Sequence, residues 1–315
     1  MFAICLESSH ARGMGHLFRM RHFARELRSR GVPFLFFVND HKPSLELLKK
    51  HDLTFEIVDL NHVEQWAPAA IRRTQARVWI NDRLDTDLGQ AQAVKQTGIP
   101  LATFDDCGAG ASLADLHIAA LAFAADRPLG GRRVVRGHEY LILNPEIAFH
   151  RRQRMKVQTI LISMGGSDTH GATLKALALL QRRGLAATIV IGPGFKPRVR
   201  IEAESHACFE VKVNVPSLIE EMSRHDLAIV GGGMTAFEAA ASGLPAIVIA
   251  NEDFEIPVAR HLASLGVALY AGHHSTLDET VLDVPQDVAS MSLAGLSKVP
   301  LNGVERVCQL LQELA

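Results

Sequence analysis

Three consecutive residues without a β-carbon, Gly231-Gly232-Gly233, lead into Met234-Thr235-Ala236-Phe237-Glu238. Such a run lets the backbone turn sharply and lets a ligand approach the amides, and a helix beginning there aims its free N–H groups at the same point. That combination suits a diphosphate. Thr235 and Glu238 are also spaced as a capping box, which would satisfy the helix start with no ligand but leaves the glycines unexplained. A second glycine loop, Ser8-Ser9-His10-Ala11-Arg12-Gly13-Met14-Gly15-His16, brings a histidine to the first turn of a helix. The positive end of a helix disfavours an imidazolium, so His16 reads either as a proton acceptor or as a capping or packed histidine. The loop is not the dinucleotide fingerprint: Phe18 stands where the third glycine belongs, and Asp40 comes too late after the next strand. Nicotinamide chemistry is set aside on that ground.

These loops need strands and helices to hold them. In the first half, apolar runs at 2–6, 34–38, 55–58, 78–80, 101–104 and 117–121 alternate with amphipathic stretches, the pattern of a doubly wound parallel sheet. Residues 16–30 carry Leu17, Met20, Ala24 and Leu27 at helical spacing, with Arg21, Arg25, Glu26 and Arg28 opposite, and Gly31 falls where a helix C-cap is expected. A basic run, His150-Arg-Arg-Gln-Arg154, follows a polar stretch and suggests a boundary near residue 150, between domains of 1–150 and 151–315. The run itself reads as solvated. A second alternating series opens with 159–163 and a further glycine turn, Met164-Gly165-Gly166-Ser167-Asp168. It continues through helix 170–183, strands 188–191 and 209–213, helix 217–225, strand 226–230, helix 236–242, strand 246–249 and helix 256–265. The helix at 304–314 is assigned to neither domain by its pattern. The fold class expected is α/β: two Rossmann-like domains facing each other across a cleft, with ligand beyond the carboxyl ends of the strands.

Composition narrows the function classes. The chain has 315 residues, 48% apolar and 21% charged, with a net charge of −1 and no basic stripe interleaved with aromatics, so nucleic acid is not an expected partner. Fifteen histidines are scattered, without a His-Glu-x-x-His helix or a Cys-x-x-Cys pair, and no metal site is expected. Cys5, Cys107, Cys208 and Cys308 lie about a hundred residues apart, which fits reduced thiols in a cytoplasm. No run approaches the ~20 apolar residues of a membrane span, and Met1-Phe-Ala-Ile-Cys-Leu6 lacks the build of a signal peptide.

Six motifs in register resemble a known group. Gly13-x-Gly15-His16-x-x-Arg19, Phe104-Asp105-Asp106, Tyr140-x-Leu-x-x-Pro145-Glu146, Ile162-Ser-Met-Gly165-Gly166-Ser167-Asp168, Gly231-Gly-Gly-Met-Thr-x-Phe-Glu238 and Gly243-Leu-Pro245 are similar to the nucleotide-sugar hydrolase of pseudaminic acid biosynthesis. They also resemble the predicted glycosyltransferases of spore-coat polysaccharide synthesis, and both groups are similar in architecture to the UDP-GlcNAc transferase of peptidoglycan synthesis. The resemblance implies a GT-B fold whose C-terminal domain binds UDP and whose N-terminal domain faces the sugar or acceptor. It implies that Glu238 bonds the ribose, and that Gly165, Gly166, Ser167, Gly232, Gly233, Met234 and Thr235 line the nucleotide site. It makes His16 the base on the incoming nucleophile and Asn251 a further catalytic residue.

Gly15, Arg19, Asp82, Arg83, Asp105 and Asp106 are then candidate contacts to the sugar or acceptor, or else turn and cap residues. Asp85-Thr86-Asp87 imitates a metal-binding Asp-x-Asp and is better read as the start of a surface helix. The resemblance calls for no metal or cofactor. Two departures stand out: Asn81-Asp82-Arg83 replaces an Asp-His-Tyr run of the hydrolase, so Arg83 takes the tyrosine's place, and Asn251-Glu252 replaces its Asn-Gln pair. The expected activity is inverting displacement of UDP from a UDP-sugar in surface-polysaccharide or nonulosonic acid synthesis, first by water as in the pseudaminic-acid hydrolase, with transfer to an acceptor hydroxyl as the alternative. A UDP-sugar binding protein without catalysis is the third reading.

Overall fold

The computed structural model describes residues 1–8, 15–121, 129–166, 168–192, 195, 199–200, 204, 206–213, 215–277 and 287–315. The chain forms two compact units, Met1–Ile142 with Asn302–Ala315, and Leu143–Leu301. The division therefore falls after Ile142 rather than near residue 150, and the terminal segment belongs to the first unit instead of the second.

In the first unit the chain runs β1 (Phe2–Leu6), α1 (Gly15–Ser29), β2 (Phe34–Val38), α2 (Lys42–Lys50), β3 (Phe55–Ile57), α3 (Val63–Thr74), β4 (Val78–Asp82), α4 (Leu88–Lys95), β5 (Leu101–Phe104), β6 (Leu116–Ala119) and β7 (Arg133–Arg136). The strands form one parallel sheet in the order β3-β2-β1-β4-β5-β6-β7. All five residues of β1 and of β4 are buried, as central strands covered on both faces must be. Phe37, Trp66 and Trp79 cluster with ring centroids 5.2 to 5.7 Å apart, Phe37 and Trp79 stacked and Trp66 tilted against both. Trp79 then donates from Nε1 to Asn81 Oδ1 at 2.8 Å, tying this apolar cluster to the carboxyl end of β4. Gly31 closes α1 in the left-handed region, φ +65°, as its position predicts.

In the second unit, α5 (Ile147–His150) precedes β8 (Ile160–Ser163), α6 (Ala172–Arg182), β9 (Ala187–Ile191), β10 (Phe209–Val213), α7 (Leu218–Ser223), β11 (Leu227–Gly231), α8 (Met234–Ala241), β12 (Ala246–Ala250), α9 (Glu255–Ser264), β13 (Ala268–His273) and α10 (Val288–Lys298). Its sheet is also parallel, in the order β10-β9-β8-β11-β12-β13. The last helix, α11 (Gly303–Leu314), returns to the first unit and packs on α1 with Val307, Cys308, Leu310 and Leu311 buried. Gly303 is required there, because a β-carbon would come within 2.0 Å of Leu141 O.

The basic run after α5 is a staple rather than a solvated stretch. Arg154 is buried and donates to the carbonyls of Met222, His225 and Ser242, at the carboxyl ends of α7 and α8, where the helix dipoles favour a cation. Burial lowers its pKa to about 10. Arg152 pairs with Asp226 at 3.0 Å and Arg151 donates to Leu296 O. The edge strands β7 and β13 are elements that the apolar pattern does not reveal, since Arg133, Arg136, Gly272 and His273 interrupt their runs.

Candidate active and nucleotide sites

In each sheet the strand order reverses between two central strands, β1 and β4 in the first and β8 and β11 in the second. Connections leave such a pair toward opposite faces and open a crevice at their carboxyl ends. Both sets of candidate residues lie there.

In the first unit, α1 begins at Gly15 and presents His16 in its first turn. His16 Nδ1 lies 2.7 Å from Oδ1 of Asp82, the last residue of β4. Arg19, one turn further along α1, donates from Nε to both Asp82 oxygens at 3.1 and 3.0 Å, and its Nη2 also meets Oδ1. Its Nη1 reaches Asp105 Oδ2 at 2.5 Å, and its guanidinium lies 5.3 Å from the Phe104 ring centroid. Asp105 sits in the left-handed region at φ +49° and takes a second bond from the Leu121 amide at 2.7 Å. Burial alone would push the Asp82 carboxyl up, but Arg19 and His16 beside it hold it down, to about 2. The ionised carboxylate assigns the His16 proton to Nδ1 and leaves the lone pair on Nε2. The His16 side chain is 14% exposed and that of Asp82 is closed off.

Several expected sugar or acceptor contacts are therefore interior. Arg19, Asp82 and Asp105 form a buried chain behind His16. Asp106 is a loop staple: its Oδ1 accepts the Thr86 and Gly108 amides at 3.0 and 2.9 Å, and its Oδ2 meets the Thr86 hydroxyl. Two of these bonds reach back twenty residues to Thr86 and one closes the turn at Gly108, so both carboxylate oxygens are taken up in joining two loops. Arg83 donates from Nη1 to Leu60 O and Gln90 Oε1, both at 3.0 Å, with Glu7 Oε2 3.7 Å from Nη2. Gly15 has open space around it, and a β-carbon there would meet nothing within 4 Å. Asp87 caps α4 through the Gly89 and Gln90 amides, which settles Asp85-Thr86-Asp87 as a helix start.

In the second unit, β11 ends at Gly231, Gly233 is the N-cap of α8, and no side chain caps that helix. The capping box does not form, because the helix starts at Met234 and places Thr235 inside its first turn. The first-turn amides of α8 are thus left without the cap that Thr235 would have given them. Gly165, at φ +79°, packs its α-carbon toward the same turn, where an added β-carbon would lie 3.6 Å from Thr235 Oγ1. Gly166 borders open space, while Ser167, like Gly13, lies outside the described residues. The start of α6 differs from that of α8: Asp168 accepts the Ala172 and Thr173 amides at 2.8 Å each and closes it.

Glu238 is half-buried on α8 and accepts the Asn144 amide; burial raises its carboxyl to about 7. Asn251, after β12, is 5% exposed, donates to Asp168 Oδ1 at 3.4 Å, and has no partner for its own Oδ1 among the described residues. The residue that sequence reasoning missed is Glu255. It opens α9, and its Oε2 accepts the amides of Asn251 at 2.7 Å and Gly232 at 3.2 Å. Burial raises its pKa. A β-carbon on Gly232 would lie 2.7 Å from that of Glu255, so this glycine makes room for the glutamate. No motif marks Glu255; only the fold brings it to the glycine turn.

Among the described residues, no group of three or more His, Cys, Asp or Glu is placed to hold a metal ion, and no helix is long and apolar enough to cross a membrane. All four cysteines are free.

No protein-family model matches the chain. It is 23% identical over 335 residues to the spore coat polysaccharide biosynthesis protein SpsG of Bacillus subtilis, a match covering 99% of this chain and 97% of that one. Among solved structures, MurG of Acinetobacter baumannii superposes with a TM-score of 0.72 at 19% identity, covering 99% of each chain. The spinosyn rhamnosyltransferase SpnG gives 0.64 at 16% identity, covering 100% of this chain and 99% of the other. With two parallel Rossmann-like sheets and these likenesses over its whole length, the chain has the GT-B fold and is similar from end to end to a spore-coat polysaccharide protein.

Proposed function

We propose that this protein is a glycosyltransferase of surface-polysaccharide synthesis that takes its sugar from a UDP-sugar with inversion at the anomeric carbon. The observation that carries the proposal is the pair of His16 and Asp82 at the carboxyl ends of β1 and β4, where Asp82 fixes the proton on Nδ1 and frees Nε2. The acceptor hydroxyl gives its proton to Nε2 as its oxygen bonds the anomeric carbon, and the bond from that carbon to the diphosphate oxygen breaks. A positioned base of this kind contributes roughly 10²–10⁴ in rate. The uncapped start of α8 takes the diphosphate charge through the 233–235 amides, and Glu238 accepts the ribose hydroxyls. Asn251, with its free Oδ1, contacts the sugar at the reacting end.

Transfer to an acceptor is favoured by the full-length likeness to a protein of polysaccharide biosynthesis, a process that joins sugars to acceptors, and by Arg83 and Glu252, which depart from the hydrolase pattern. SpnG, of the same fold, has been solved with thymidine diphosphate and with its spinosyn aglycone. Attack by water is the second reading, supported by the match of His16 and its glycine loop to the hydrolase motif. Incubation with UDP-sugars separates them: UDP release only when an acceptor is added means transfer, release without one means hydrolysis, and binding without release refutes both.

A further inference from the structure

The carboxylate of Glu255 lies across the glycine turn to which the proposed function brings the diphosphate. Its Oε2 accepts the Asn251 amide at 2.7 Å and the Gly232 amide at 3.2 Å. Its Oε1 faces the start of α8, 3.6 Å from where a β-carbon on the N-cap, Gly233, would stand and 3.9 Å from one on Gly231. A helix start attracts an anion, and here the chain supplies one of its own. Among the described residues no cation pairs with Glu255. The charged groups on the elements around it are engaged elsewhere. Glu252 accepts the Thr169 hydroxyl at 2.7 Å and lies 3.4 Å from His170 Nε2, Asp168 takes the Ala172 and Thr173 amides, and the exposed Asp253 lies 3.6 Å from His273 Nε2. Burial raises the Glu255 carboxyl, and the charge of Glu252 adds to this, while the amides it accepts hold it partly down. A diphosphate arriving at the same amides would set anion against anion, and carboxyl groups so placed relieve the repulsion by keeping a proton.

We propose, resting on that reading of the glycine turn, that Glu255 binds the diphosphate as the neutral acid. One proton passes from solvent to Oε1 as the nucleotide docks, Oε1 then donates it in a hydrogen bond to a phosphate oxygen, and Oε2 keeps its two amides. Release of the nucleotide returns the proton to solvent. Binding therefore consumes a proton, and affinity falls as the pH rises through the range where the carboxyl is ionised in the free protein and protonated in the complex. A glutamine at this position would offer an N–H in place of the O–H, with no proton to take up.

The test is calorimetric titration of UDP into the full chain at pH 8 in buffers of different ionisation enthalpy, where the slope of observed heat against buffer enthalpy counts the protons exchanged. At that pH the terminal phosphate is already ionised. Glu238, raised to about 7, is mostly ionised before UDP arrives, and the Glu255→Gln variant carries whatever share it contributes. Uptake of at least about half a proton per UDP in the parent and none in Glu255→Gln supports the assignment. The parent's Kd should then rise roughly three- to tenfold per pH unit between pH 7.5 and 8.5, and that of Glu255→Gln less than about twofold. UDP binding without uptake in the parent, or with equal uptake in the variant, overturns the role of Glu255 and leaves the nucleotide site intact. No UDP binding at all overturns both.

Discussion

Replacing Glu238 by glutamine should stabilise the protein and weaken nucleotide binding, both through the same carboxyl group. In the folded chain this carboxyl titrates at about 7, against 4.5 when freely solvated. An acid raised on folding keeps its proton at pH values where the unfolded chain has lost it. Its effect on stability is therefore neutral below pH 4.5 and grows more unfavourable as the pH rises to about 7, where it levels off. The gap corresponds to an upper bound of about 3 kcal/mol. For a unit of this size that is a rise in Tm of about 6–12 °C at pH 8 for Glu238→Gln over the parent, shrinking to nothing near pH 4. UDP affinity moves the other way. Two ribose hydroxyls donating to a carboxylate lose a charge-assisted bond in the variant, about 1.5–3 kcal/mol, or roughly tenfold to a hundredfold in Kd. Melting curves from pH 4 to 8.5 with UDP titrations at pH 8 measure both. A variant no more stable than the parent at pH 8, or one that binds UDP equally well, refutes the reasoning.

Further outcomes follow from the same geometry. His16→Asn should leave UDP affinity within about twofold while cutting turnover at least about a hundredfold, read by steady-state UDP release against calorimetric binding. Asp82→Asn should lower turnover through loss of the Nδ1 tether and cost about 3–5 kcal/mol of stability, because it leaves Arg19 buried beside a neutral amide. Asp82 stabilises the fold above pH 3.8, and that contribution is lost as the pH falls toward about 2; urea midpoints for Asp82→Asn should accordingly be flatter than the parent's over that range. Glu255→Gln should tighten UDP binding at least about tenfold, since it removes a negative charge from amides beside the diphosphate site; weaker binding would mean that the carboxylate is needed there. Arg154→Met should destabilise the second unit by about 3 kcal/mol or more, by leaving helix-end carbonyls without donors.

Most of the central strands are legible in the sequence because a parallel strand buried on both faces must be apolar throughout. Phe2–Leu6, Phe34–Val38 and Leu101–Phe104 fall where their runs place them. Two of the four edge strands, Phe55–Ile57 and Phe209–Val213, are legible too, whereas Arg133–Arg136, with an arginine at each end, and Ala268–His273, carrying Gly272 and His273, lack an unbroken apolar run. α8 begins two residues before the position its pattern predicts, because Thr235 and Glu238 imitate a cap, whereas glycine at the N-cap lets the helix begin earlier. His16 and the glycine turns are visible as local patterns. The partners of His16 and Arg19 are not, because Asp82 stands 66 residues from His16 and Asp105 86 residues from Arg19, and both are brought to α1 only by strand order. From sequence, an aspartate at a strand end looks the same whether it meets a substrate or an arginine. Asp106 and Arg83 belong to that ambiguity, and Glu255 lay hidden at an unremarkable helix start.

Because α11 belongs with β1 to β7, the second unit is an insertion within the first, entered at Leu143 and left at Leu301. During synthesis, residues 302–315 leave the ribosome only after the whole inserted unit has done so. The segment that is translated first must therefore wait, with the α1 surface destined for Val307 and Leu311 still bare to chaperones, while the later unit is free to fold ahead of it.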